Sequence, residues 1–136
     1  MTMRAIAATA VLVSAAVHLY LWAAEGYREI EVVGPAFLLN AVGGAVIAVL
    51  LVAWRHWLPA LLAVGFGFST LSAFVISATV GLFGVEESWT GWAVLTAAGS
   101  EIVAVVAGVL LLIEAHRSRS QGQLEHHAPF RRAHLH

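Results

Sequence analysis

The stretch from Leu58 to Phe83, LPALLAVGFGFSTLSAFVISATVGLF, decides the fold. It carries no charged residue, and at ~1.5 Å of rise per residue a helix of this length outspans a ~30 Å hydrocarbon core. Backbone N–H and C=O groups find no water there, so the segment must bond to itself as a continuous helix. Three further stretches share its character: Ala5–Ala24, Pro35–Ala53 and Thr90–Ile113. Together they predict an all-α membrane protein, a four-transmembrane-helix up-down antiparallel bundle over residues 1–114. The polar remainder, 115–136, reads as a disordered His/Arg-rich tail.

Composition narrows the function classes. Charged residues are 11% of the chain against 60% hydrophobic ones, far from the soluble norm of about 25% charged. Cysteine is absent, which removes disulfides, thiolate metal sites and thiol redox chemistry. A net charge of −1 argues against nucleic acid as a partner. One bundle and a tail use the length, so no soluble catalytic domain is expected and the chain reads as a non-enzyme. The first span follows Arg4 as a signal peptide would, but it is too long for such a segment. A cut near Ala24 would also place Leu21 or Trp22 where a small residue belongs. A retained helix is the expectation.

The arginines sort by end. Arg4, Arg55, Arg117, Arg119, Arg131 and Arg132 fall on one side and only Arg28 on the other. The positive-inside rule then puts both termini in the cytoplasm of a plasma-membrane protein. The opposite loops are acidic, with Glu25, Glu29 and Glu31 in the first and Glu86 and Glu87 in the second. Of these, Glu25, Glu86 and Glu87 are candidates to attract cations. Tyr20, Trp22, Tyr27, Trp89 and Trp92 suit the outer interface, and Trp54 and Trp57 the inner one.

Helices in lipid associate by close packing, and small residues mark the faces that meet. The third span repeats them at every fourth position: Gly65, Ser69, Ala73, Ser77 and Gly81. The fourth has Thr96, Ser100, Ala104 and Gly108; the second has Ala36, Asn40, Gly44 and Ala48; the first has Ala10, Ser14 and His18. These ribbons predict seams within the bundle, or with a second copy or another membrane protein.

Few side chains could carry chemistry. Glu101 falls near mid-membrane, where an acid costs at least ~2.5–3.5 kcal/mol on insertion scales. His18 and Asn40 fall in the outer third of their helices, so His18, Asn40 and Glu101 could form one polar cluster opening outward. Such a cluster could relay protons, hold a cation or meet a quinone-like molecule, or simply be an interhelical hydrogen bond. No metal site and no cofactor is expected: His18 is the one histidine inside a span, whereas bis-histidine haem ligation within a chain needs two. The hydroxyls of Ser69, Thr70, Ser72, Ser77 and Thr79 could line a pore or bond to their own helix.

Ser14-Ala15-Ala16-Val17-His18-Leu19-Tyr20-Leu21-Trp22, Gly34-Pro35-Ala36-Phe37-Leu38-Leu39-Asn40 and Gly81-Leu82-Phe83-Gly84 resemble segments of small four-helix membrane proteins of high-GC actinobacteria. The resemblance covers about 110 residues and implies the fold but no chemistry. In size and helix count the chain is also similar to the DoxX family, without that family's basic-glycine opening of helix 1, so the likeness is one of architecture. Three functional expectations result. The first is a non-catalytic accessory subunit or scaffold. The second is a small proton- or cation-handling transporter or channel built on Glu101 and His18. The third is a quinone- or haem-binding redox accessory.

Overall fold

The computed structural model describes residues 2–82 and 90–127. Four helices account for most of them: α1 (Met3–Ala24), α2 (Val33–Ala53), α3 (Leu58–Val80) and α4 (Trp92–His127). All four are long and apolar enough to cross a membrane. The chain is an all-α, multi-pass membrane protein. Large apolar side chains such as Leu39, Phe68, Val80 and Leu95 lie on the outside of the bundle, where lipid takes the place of a protein partner.

The helices form a ring in chain order. α1 packs on α2 and α4, α3 packs on α4, and the α2–α3 contact is the sparsest of the four sides. α1 is the most enclosed helix, with Ala7, Val11 and Ser14 at 0% exposure. At the end carrying the termini the core is wholly apolar: Ala7, Ala10, Val11, Ala48, Leu51, Ala63, Ala104 and Ala107. Glycine makes the tightest approaches possible. A Cβ on Gly67 would lie 2.7 Å from the Glu101 carbonyl oxygen, and one on Gly108 would lie 2.7 Å from Val64 Cγ2. One on Gly44 would lie 2.8 Å from Ala15 Cβ.

This end is tied by a residue read only as a topological charge. The Arg4 guanidinium donates to the carbonyls of Leu51 (3.0 Å), Trp54 (3.3 Å) and His56 (2.6 Å). The last carbonyls of a helix have no intrahelical donor, and a cation also suits the negative end of the helix dipole. Arg4 therefore caps α2 and binds the start of α1 to the α2–α3 turn. In the same turn His56 Nδ1 accepts from Leu58 N at 3.2 Å, closing the N-terminus of α3, where Pro59 occupies the first turn.

Three expectations need correction. The α3 ribbon is not a seam within the bundle along its length: Gly65 and Ser69 are exposed, and the face meeting α4 runs through Ala60, Ala63 and Gly67. The reason is geometric, since each four-residue step turns ~40° around a helix and a five-member ribbon wraps far from where it began. Secondly, α3 stops at Val80. Gly81 has φ +79°, a conformation open to glycine that ends the helix before the expected Phe83. Thirdly, α4 continues through the segment expected to be a disordered tail, as far as His127. Glu114–His127 holds good helix formers and one glycine, and Arg119 lies 5.7 Å from the ring centre of Trp57, a cation–π contact that holds the extension against the turn.

Candidate functional site

The opposite half of the bundle, towards the 25–32 and 82–90 connections, is not packed shut. It contains a cavity of about 320 Å³ walled by all four helices. His18 and Leu21 come from α1, Phe37 and Asn40 from α2, Thr70 and Phe74 from α3, and Ala97, Ala98 and Glu101 from α4. The lining is mainly apolar. The three residues picked out as a polar cluster, His18, Asn40 and Glu101, all border it.

They are not bonded to one another directly. Glu101 is 1% exposed, and its Oε1 accepts from Ser14 Oγ at 3.0 Å. His18 is 7% exposed, with Nδ1 2.8 Å from the Ser14 carbonyl and 3.4 Å from Ser14 Oγ. A carbonyl oxygen only accepts, so the imidazole proton on this side resides on Nδ1. Ser14 thus stands between the two titratable groups and fixes both: its carbonyl orients the ring and its hydroxyl holds the carboxyl. The ring is also held edge-on to Phe37 at 4.9 Å, and Phe37 stacks on Tyr27 at 4.8 Å. Tyr27 belongs to a short 3₁₀ turn, Tyr27–Glu29, that folds over the mouth of α2. Gly34 permits that fold, because a Cβ there would lie 2.7 Å from the Arg28 carbonyl oxygen.

Asn40 belongs to the α2–α3 wall. Its Nδ2 donates to Thr70 Oγ1 at 2.8 Å, while Thr70 Oγ1 donates to the Phe66 carbonyl at 2.8 Å. With the hydroxyl proton committed to Phe66, Thr70 can only accept from Asn40, which settles the amide's orientation. Asn40 Oδ1 is then left buried without a donor. Such an acceptor costs about 1–3 kcal/mol, so the wall is not optimised for stability.

Other expected residues fall elsewhere. Glu25 is exposed and accepts from Tyr20 OH at 2.9 Å, outside the cavity. Glu86 and Glu87 lie outside the described residues. Among the packing residues, Gly44, Ala104 and Gly108 lie in helix contacts, Ala73 and Ser77 line the cavity, and Ser100 bonds to its own helix at Ala97. The hydroxyls of Ser69 and Thr79 likewise return to their own helix. Among the described residues no three histidine or acidic side chains converge as metal ligands. Ser14 and Arg4 were the residues sequence reasoning undervalued: Ser14 was visible only as a small residue one turn before His18.

Geometry and lining define a class, a multi-pass helical membrane protein with an intramembrane cavity bearing one buried acid and one buried imidazole. Comparison with protein-family models, curated proteins and solved structures finds no match to this chain.

Proposed function

We propose that this protein is a non-catalytic intramembrane binding protein that holds a small lipophilic molecule in the loop-side half of its bundle. The observation carrying this reading is the cavity: about 320 Å³, largely apolar, with His18, Asn40 and Glu101 converging on it. Ligand sites are typically concave, mostly apolar and furnished with a few oriented polar groups, and ~300 Å³ is the lower end of their range. The arginine distribution favours an orientation with the termini in the cytoplasm of a plasma membrane, which opens the cavity towards the outer leaflet. An accessory role beside a larger membrane partner fits the same reading.

Conduction fits less well. Below Glu101 the core consists of Ala7, Val11, Ala48, Leu51, Ala63, Ala104 and Ala107, with Arg4 committed to backbone carbonyls at its far end. Among the described residues a proton or cation reaching Glu101 would meet no buried polar side chain further along, the others being Ser14, His18 and Ser77 on the cavity side. The Ser14-linked pair is suited to holding a ligand, not to passing an ion through.

The test is extraction of the purified protein with organic solvent and mass analysis of what it retained. A stoichiometric lipophile is expected in the native protein and its loss in Ala98→Phe, which fills the cavity. Equal retention in both, or none in either, contradicts the proposal.

A further inference from the structure

The binding reading leaves the chemistry of the occupant open, and Glu101 narrows it. The carboxyl borders the cavity at 1% exposure with a single hydrogen-bond donor, Ser14. Among the described residues neither arginine nor lysine lines the cavity. Of the described arginines only Arg28, in the Tyr27–Glu29 turn, lies at the loop end, and it is not among the residues lining the cavity. Arg4, on the same helix as Ser14, spends its guanidinium on the carbonyls of Leu51, Trp54 and His56. Among the described lining residues the protein thus places an acid in a mainly apolar chamber with no arginine or lysine to pair with it, and the imidazole of His18 is turned to Ser14 and not to the carboxyl. A lone acid inside a membrane persists when it is neutralised by a proton or by a cationic partner.

We infer, on the basis of the proposed binding role, that the natural occupant is a lipophilic organic cation, an amine or quaternary ammonium whose charge pairs with Glu101 and whose hydrocarbon part fills the apolar wall. Leu21, Phe37, Phe74, Val94 and Ala98 supply that wall. Proton and cation then compete for one carboxylate: uptake of the cation releases a proton to water, and the cation's departure lets the proton return. Among the described lining residues the titratable groups are His18 from α1 and Glu101 from α4; α2 and α3 contribute only Asn40, Ser69, Thr70 and Ser77. Protonation of His18 would add a repelling charge, so both groups give the same sign. Cation binding strengthens as pH rises.

The test uses two probes of the same shape, benzyltrimethylammonium and neopentylbenzene, which differ by a charged nitrogen in place of a carbon. Binding to the full-length protein in lipid nanodiscs is measured against empty nanodiscs. The ammonium is expected to bind the native protein more tightly at pH 8 than at pH 5.5, and the neutral probe equally at both. Glu101→Gln should weaken the ammonium roughly thirtyfold or more and leave the neutral probe within a few-fold. A native protein that binds the neutral probe but not the ammonium overturns the inference and leaves the cavity reading standing. So does an ammonium affinity unchanged by Glu101→Gln. Binding of neither probe overturns both. If Glu101→Gln fails to fold, the native pH comparison decides, since a pH-independent ammonium affinity overturns the inference.

Discussion

The two halves of this bundle are built from the same four helices and the same kinds of residue, yet one is solid and the other hollow. At the termini end, small residues face something that fills the space beside them: Gly108 faces Val64, Gly67 faces Val105 and the Glu101 backbone, and Gly44 faces Ala15 and Phe66. At the loop end, Ala36, Ala73, Ala97 and Ala98 all line one chamber, and the described side chains around them leave about 320 Å³ of it unfilled. Small residues therefore do not by themselves mean close packing. They allow it where a knob faces them and leave room where another small residue does. The hollow half also holds the polar groups: Ser14, His18, Asn40 and Glu101.

The most disruptive way to break this contrast is to enlarge a glycine in the solid half. Gly67→Leu would drive side-chain atoms into the Glu101 backbone and force α3 from α4, at a cost of about 3 kcal/mol or more. Unfolding in a detergent–SDS titration should move to much lower SDS, whereas Ala98→Leu in the hollow half should leave the midpoint near native. Equal sensitivity would mean that the halves do not differ in packing.

Removing the cap comes next. Arg4→Ala leaves three carbonyls without their donor, with an expected loss of about 2 kcal/mol, and Arg4→Lys should recover only part because an ammonium lacks the guanidinium fork. A native midpoint for Arg4→Ala in the same titration would exclude the clamp.

Ser14→Ala tests the polar string. Interhelical hydrogen bonds in membranes average about 0.6 kcal/mol, so a loss of about 1 kcal/mol or less is expected, together with weaker ligand retention. Unchanged retention would separate Ser14 from the site.

The smallest effect is also the most diagnostic in sign. Asn40→Leu removes a buried acceptor that has no donor, so stability should stay within about 0.5 kcal/mol of native or rise. A loss above 1 kcal/mol would show that the amide is better satisfied than its contacts indicate.

Much of this was legible in the sequence, and the limits have physical causes. Length and hydropathy announce four spans because the bilayer imposes one thickness and leaves few backbone solutions. His18 and Asn40 could be placed in the outer third of the bundle with Glu101 about a turn deeper, because rise along a helix is fixed at ~1.5 Å per residue. What periodicity cannot supply is the rotation of one helix against its neighbour. Ser14, chosen as a small packing residue, therefore emerges as the link between His18 and Glu101, while Gly65 is exposed and Ser69 lies at the edge of the cavity. Arg4 was invisible as a cap because its partners are backbone carbonyls some fifty positions away, which no side-chain pattern records. The α4 extension was missed because polarity was read as disorder, although Ala115–Gln121 contains no residue that breaks a helix.

The central claim, a solid termini half beneath an open loop half, can be tested on one helix because the chain has no cysteine of its own. Ala98→Cys would sit on the cavity wall and Ala104→Cys in the closed core, on the same helix and six positions apart. Modification by N-ethylmaleimide under native conditions should be fast at position 98 and absent at position 104 until the protein is unfolded. Equal rates at the two positions, or protection of both, would contradict the account.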